Sequence, residues 1–305
     1  MISNILSRLP SLISAGLVLI VLVAFALAGQ RLCDRLFPSA ERRAHNELFS
    51  HAAQVVGVIN AVLLALIVFA VWSNYDRAKD VASLESALVV DIARDAEAAG
   101  LAVHDSIVSG MQEYVETVIS SEWPHMKKGA PRDAAGGGFG RGWSQLSTTY
   151  ELVLRADSTN SLRTVVAEEL VKRFNSVFDA RRQRIHYSTH GSLTDTIWGV
   201  VLAGGLLSIA CCWLLGVESR KIHATGSALV AASFGLVFFL IISIEWPYRG
   251  RNQIPVEQYC TALRNIHRQE SADRAKHEAA SASPRSLPSS CPARRVQQES
   301  PRETT

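Results

Sequence analysis

Charged side chains vanish from four stretches of the chain. Residues 9–30, 52–73, 196–217 and 224–244 contain no Asp, Glu, Lys or Arg. Each runs 21 or 22 residues, against the roughly 20 that an α-helix needs to cross a bilayer. The pattern predicts four transmembrane helices over these ranges. Between the second and third lies a long hydrophilic insert, 74–195, whose apolar residues recur at steps of three and four. One run is Val81, Leu84, Leu88, Ile92 and Ala96; another is Val103, Ile107, Met111, Tyr114 and Val118. A third is Leu162, Val165, Val166, Leu170, Phe174, Val177 and Phe178. These are amphipathic helices, each needing a partner face. With a shorter helix near 146–154 they form a helical bundle. No proline interrupts the passage from the second span into the insert, or from the insert into the third span. Both junctions therefore read as continuous helix, and the insert as an extension of the membrane bundle. The fold class is an all-α membrane protein: two spans, a long helical insert, two more spans and a disordered tail.

The connections refine this layout. A charged loop, 31–50, joins the first two spans. Only six residues, 218–223, separate the last two, which forces a tight hairpin. The first apolar run is longer than the 7–15 residues of a signal sequence, and Arg31, Arg35, Arg42 and Arg43 follow it. It reads as a retained membrane helix. Residues 269–305 are rich in Ser, Pro, Arg and Glu and almost lack large apolar groups, so they are expected to be disordered. The cluster Gly136, Gly137, Gly138, Gly140 and Gly142 has no strand before it and no Lys-Ser/Thr after it. It is a flexible loop rather than a phosphate cradle.

Composition supports the membrane reading. Apolar residues make up 48% of the 305 positions and charged residues only 19%, against about 25% in a soluble domain. A wholly soluble protein and a secreted disulfide mini-protein are excluded. An outer-membrane barrel, built from alternating strands of about 10 residues, does not fit either. The net charge of +3 is too small to argue for nucleic acid. The five cysteines include no CxxC pair and imply no disulfide framework. Arginines and lysines flank the spans on both sides, so charge bias alone leaves the orientation open.

Few residues suggest chemistry. His186 and His190 share a helix face at i,i+4, but no third ligand lies near in sequence, and they read as exposed helix histidines. The adjacent Cys211 and Cys212 point in different directions and read as packing residues. Asp91, Arg94 and Asp95 form helix-spaced charge pairs, ordinarily a solvated face. No nucleophile elbow, Walker loop or HExxH is present, so neither an enzyme, a cofactor nor a metal site is expected. Inside the spans the few polar residues include Gln54, Asn60, Ser208, Ser233 and Ser243, without a carboxylate or lysine. That argues against a proton-coupled pump. It agrees with a pore whose apolar constriction gates by dewetting.

Three local patterns carry a family resemblance. The second span ends Phe69-Ala-Val-Trp72-Ser-Asn-Tyr75-Asp76-Arg77, with Asp80 following. The second insert helix ends Glu122-Trp123-Pro124, and the fourth span ends Glu245-Trp246-Pro247-Tyr248-Arg249-Gly250. With the two-insert-two layout, residues 10–265 resemble the bestrophin-like domain family of bacterial membrane proteins, distantly similar to bestrophin ion channels. The resemblance implies a homopentamer with a central pore lined by the second span. It implies a bacterial inner membrane, with the insert and both termini cytoplasmic. If Tyr75-Asp76-Arg77 sets the register, the hydrophobic neck falls at Phe69, Ala65 and Ala61, with Leu66 and Val62 as the rotated alternatives. Asn60 is the polar residue nearest that neck. Two of the implied neck positions are alanine, where bestrophins carry bulky groups. Arg249-Gly250-Arg251-Asn252-Gln253 stands where the calcium-binding channels carry an acidic run, so calcium gating is not implied.

The leading expectation is a homo-oligomeric passive channel for small inorganic ions, embedded in the lipid bilayer. Its rival is a non-conducting membrane-anchored scaffold acting through the 74–195 helices, with Arg181, Arg182 and Arg184 on anionic lipid. A small-molecule transporter is disfavoured by the absence of broken spans and internal repeats.

Overall fold

The computed structural model describes residues 11–98, 103–129, 139–155, 161–250 and 252–276. Among these residues every regular element is helical. In chain order they are α1 (Ser11–Leu36), α2 (Ser39–Ala44), α3 (Asn46–Ala98), α4 (His104–Thr117), a π-helical segment (Val118–Glu122) and α5 (Trp123–Lys128). There follow α6 (Gly140–Arg155), α7 (Ser161–Thr189), α8 (Asp195–Leu214), α9 (Arg220–Ile244) and α10 (Glu257–Lys276). Four of them, α1, α3, α8 and α9, are long and apolar enough to cross a membrane.

The chain divides into two units. The first comprises Met1–Asp80, Met126–Gly129 and Gln183–Ile254; the second Val81–His125, Ala130–Arg182 and Pro255–Thr305. In the first unit α9 packs along α1, and α8 packs on both. The buried core is Leu22, Ala26, Leu64, Val71, Val201, Ile209, Ala231, Phe238, Ile241 and Ile244. Gly204 and Gly205 let other helices close on α8. A Cβ on Gly204 would lie 2.3 Å from Asn60 Oδ1, and one on Gly205 would lie 2.5 Å from the Phe238 ring. Small residues at such contacts are how helices approach in lipid, where burying apolar surface gives no advantage.

One end of this unit is tied by a polar clamp. Arg42 donates to the carbonyls of Trp213 (2.7 Å) and Leu215 (3.3 Å), and pairs with Asp34. Asn46 donates to the Gly216 carbonyl (2.8 Å) and accepts from the Gly216 N–H (2.7 Å). These groups satisfy the orphan carbonyls at the C-terminus of α8. The stretch expected as a loop, 31–50, is therefore mostly helical: α1 runs on to Leu36, α2 intervenes and α3 starts at Asn46.

The second unit packs α4 on α6 and α10, with Ile107, Met111, Tyr114, Val115 and Leu146 fully buried. Phe174 and Val177 of α7 are buried in the same unit. Arg173 bridges Asp91 and Asp95 at 2.9 Å each, so that acidic pair serves an interhelical contact and not only a solvated face.

Three boundaries depart from expectation. The insert does not run into the third span as one helix: α7 ends at Thr189 and α8 starts at Asp195. Gly191 lies in the gap, and the Thr194 side chain caps the new helix by accepting from Ile197 N–H. The second insert helix does not end at Trp123-Pro124 but continues to Lys128. The π turn just before Pro124 widens the helix where the proline ring would meet the carbonyl four residues back and offers no N–H to it. The helix α10 continues eight residues beyond position 268, where disorder was expected to begin. Residues 277–305 and 130–138, with most of the glycine cluster, lie outside the described residues; Gly140 and Gly142 open α6.

Candidate functional site

The membrane portion of α3 has two unlike faces. Asn60, Leu64, Val71 and Ala78 are buried, at steps of four, seven and seven. Asn60 and Ala78 are 18 residues apart, five full turns of an α-helix, so one register holds throughout. Diametrically opposite lies Phe69, nine residues from each and 72% exposed. Ala61, Val62, Ala65 and Leu66 are exposed on the same side, within an arc of about 140° at 100° per residue. Val55, Val58 and Trp72 extend this exposed apolar face. All the neck candidates thus lie together, and the other described residues leave them bare.

Asn60 parts from them. It is 4% exposed, and its amide donates to Ser208 Oγ on α8 at 3.2 Å. Its dipole is spent inside the chain, and the reading of Asn60 as the polar residue of a pore is corrected on that ground. A span asparagine signals a polar need in lipid but not the direction in which it is met.

The ends of the spans are fixed by the motif residues. Tyr75 is half-buried, while Asp76, Arg77 and Asp80 are exposed. After α9 the chain turns sharply: Pro247 and Tyr248 are buried, and Gly250 takes a positive φ of 76° that glycine adopts without strain. Tyr248 donates to the Ala78 carbonyl at 3.0 Å. Arg249 lies over the Trp246 ring at 3.9 Å and donates to the Ser188 carbonyl at 3.1 Å. Glu245 accepts from Trp198 Nε1 at 2.8 Å. Asn74 donates to Ser192 Oγ (2.6 Å), which donates to the Glu245 carbonyl (3.1 Å). Asn74, Ser192 and Trp198 escaped the sequence reading. Asn74 sits inside the quoted motif, but its partner lies 118 residues away.

In the second unit Glu122 and Trp123 have structural partners. Arg181 meets both carboxylate oxygens of Glu122, at 2.6 and 2.8 Å, with both side chains fully buried. Arg181 also donates to Tyr114 Oη (3.2 Å) and the Phe139 carbonyl (2.8 Å), and Tyr114 donates to buried Glu85. A Cβ on Gly142 would crowd Glu122 Oε1 and the Arg181 guanidinium, so any larger residue there must displace the pair. Trp123 packs its ring 5.3 Å from Tyr259. In the first unit, Arg184 is also fully buried, against Met126 Sδ. The expectation that Arg181 and Arg184 contact anionic lipid is therefore overturned; Arg182 alone of the three is exposed, paired with Asp179.

His186 and His190 are exposed, with ring centroids 4.5 Å apart. Among the described residues no three His, Cys, Asp or Glu side chains converge as metal ligands would. Cys211 and Cys212 are free and half-buried, as packing residues would be.

Comparison with known proteins completes the picture. The Bestrophin-like domain model matches residues 20–259. No curated protein matches the sequence. Among solved structures, a point variant of a bacterial bestrophin homologue from Klebsiella pneumoniae is similar at a TM-score of 0.62 and 13% identity. It covers 81% of this chain and 98% of its own. A second variant of that homologue gives 0.60 and 11% identity, covering 83% and 99%. A crystal structure described as a membrane protein variant gives 0.60 and 11%, covering 81% and 97%. At such identities the likeness is one of fold.

Proposed function

The chain belongs to the bestrophin-like domain family, and from that premise we propose that it is a homo-oligomeric channel passing small inorganic ions passively across a bacterial inner membrane. Copies of the chain, five by family analogy, surround a common axis with α3 facing inward. Phe69 and Ala65 form the narrowest ring, Ala61 continues it one turn further, and Leu66 and Val62 flank it. Membership also suggests that the 74–195 insert and the termini lie on the cytoplasmic side.

The observation that carries this reading is the exposed apolar face of α3 centred on Phe69. An exposed membrane face meets lipid or another protein surface. Here the face lies directly opposite the residues that dock α3 on its own chain. An uncharged ring at Phe69 offers ions no compensation for lost water. Passage through it depends on wetting, and its width sets the conductance. The alanines at the two preceding turns, Ala65 and Ala61, leave Phe69 as the bulky group of that ring.

Native mass spectrometry of the detergent-purified protein, paired with planar-bilayer recording, tests the proposal. A pentameric mass together with unitary currents is expected. A monomer stable across mild detergents leaves no shared axis for α3 and overturns it.

A further inference from the structure

We propose that Asp76 and Asp80 set the charge preference of the ion path, favouring small monovalent cations over anions. This rests on α3 as the lining helix and deepens that reading.

The register is fixed by burial. Asn60 and Ala78 are both buried directly opposite Phe69 across five turns. The same register extends to the charged end of the helix. Asp76 is seven residues past Phe69 and Asp80 eleven, each about 20° from its direction, on opposite sides. They lie about 10 and 16 Å further along the axis at 1.5 Å per residue. Both are exposed. Among the described residues neither has an ion-pair partner within its own chain.

No other charge lies between His51 and Asp76 on this helix. An ion leaving the apolar ring therefore meets these carboxylates first. The nearby cations do not share the stripe: Arg77 and Lys79 lie about 80° to either side of the Phe69 direction, towards the flanks of the helix. Repeated around an axis, the stripe gives two successive carboxylate rings beside a low-dielectric constriction. Such walls focus the field and raise the local cation concentration, and acidic rings act in this way in cation-selective pores. Arg77 and Lys79 would instead face neighbouring copies.

The test is the reversal potential of the reconstituted full-length protein under a KCl gradient. The native protein should reverse towards the potassium equilibrium potential. Asp76→Asn with Asp80→Asn should move the reversal towards zero, and Asp76→Lys with Asp80→Lys past zero towards chloride. Both positions are exposed, and an unchanged native oligomeric mass checks that the variants assemble. As a second readout, Asp80→Cys should gain cation preference with a negatively charged thiol reagent and lose it with a positive one. If the native protein conducts, but the asparagine variant keeps its reversal potential, the inference is overturned while the channel reading stands. A native protein that reverses towards chloride overturns it equally. Absence of any current from the native protein overturns both.

Discussion

The helix α3 is buried in two different ways along its length. Over Asn46 to Asp80 its inward stripe is neutral: Asn60, Leu64, Val71 and Ala78. The side-chain contact of that stripe at mid-span is neutral too, an amide on a serine hydroxyl. Over Val81 to Ala98 the inward stripe takes in Glu85 and Ser86, and Arg173 bridges Asp91 and Asp95 on its flank. The reason is solvent. A charge in hydrocarbon has no water in either state and is costly. In the insert, a buried charge is tolerable when an opposite charge meets it, as Arg181 and Glu122 show. The half whose inward stripe avoids charge also leaves a wide apolar face uncovered, and the two facts belong together. That face is uncharged because its surroundings are lipid, copies of itself, or a dewetted path.

The largest effect that would sharpen this contrast is expected at Arg181. Arg181→Ala leaves Glu122 buried without its partner and should cost about 3–5 kcal/mol, as broken buried pairs do. Chemical denaturation of the purified protein measures it, and a change below about 1 kcal/mol would show that the pair is not desolvated as described. Next comes Gly204→Leu, which drives a side chain into Asn60. Overpacking of this kind costs about 1–3 kcal/mol, read as a lowered thermal midpoint in detergent; full retention of the midpoint would mean that α3 and α8 can separate freely. Asn60→Ala should be milder, about 0.6 kcal/mol, the average for interhelical hydrogen bonds in membranes. A loss of several kcal/mol would instead mark Asn60 as the centre of a larger network. Smallest is Arg173→Ala. Its partly exposed pairs should be worth about 0.2–1 kcal/mol, and the loss should shrink in high salt.

The spans were legible in the sequence because lipid imposes its demand position by position: charge is absent or the helix does not cross. The insert helices were legible through their apolar steps. The break between α7 and α8 was not, since it depends on the Thr194 cap and the Ser192 contact rather than on proline. Arg181 and Arg184 misled for a related reason. A buried arginine is written no differently from an exposed one, and Glu122 lies 59 residues away. Of the candidate site, the face carrying Phe69, Ala65, Ala61, Leu66 and Val62 was traceable by counting turns. The inward turn of Asn60 was not, because nothing local in the chain records that Ser208 stands opposite.

The central claim is that the exposed face of α3 lines an ion path narrowed at Phe69. The most direct measurement is unitary conductance of the native protein and of Phe69→Ala in the same reconstituted bilayer. Phe69 makes no contact in the buried core, so the variant should assemble with native mass and stability. Its conductance should rise as the ring widens. Currents identical in size and selectivity to those of the native protein would contradict the claim and turn that face towards lipid.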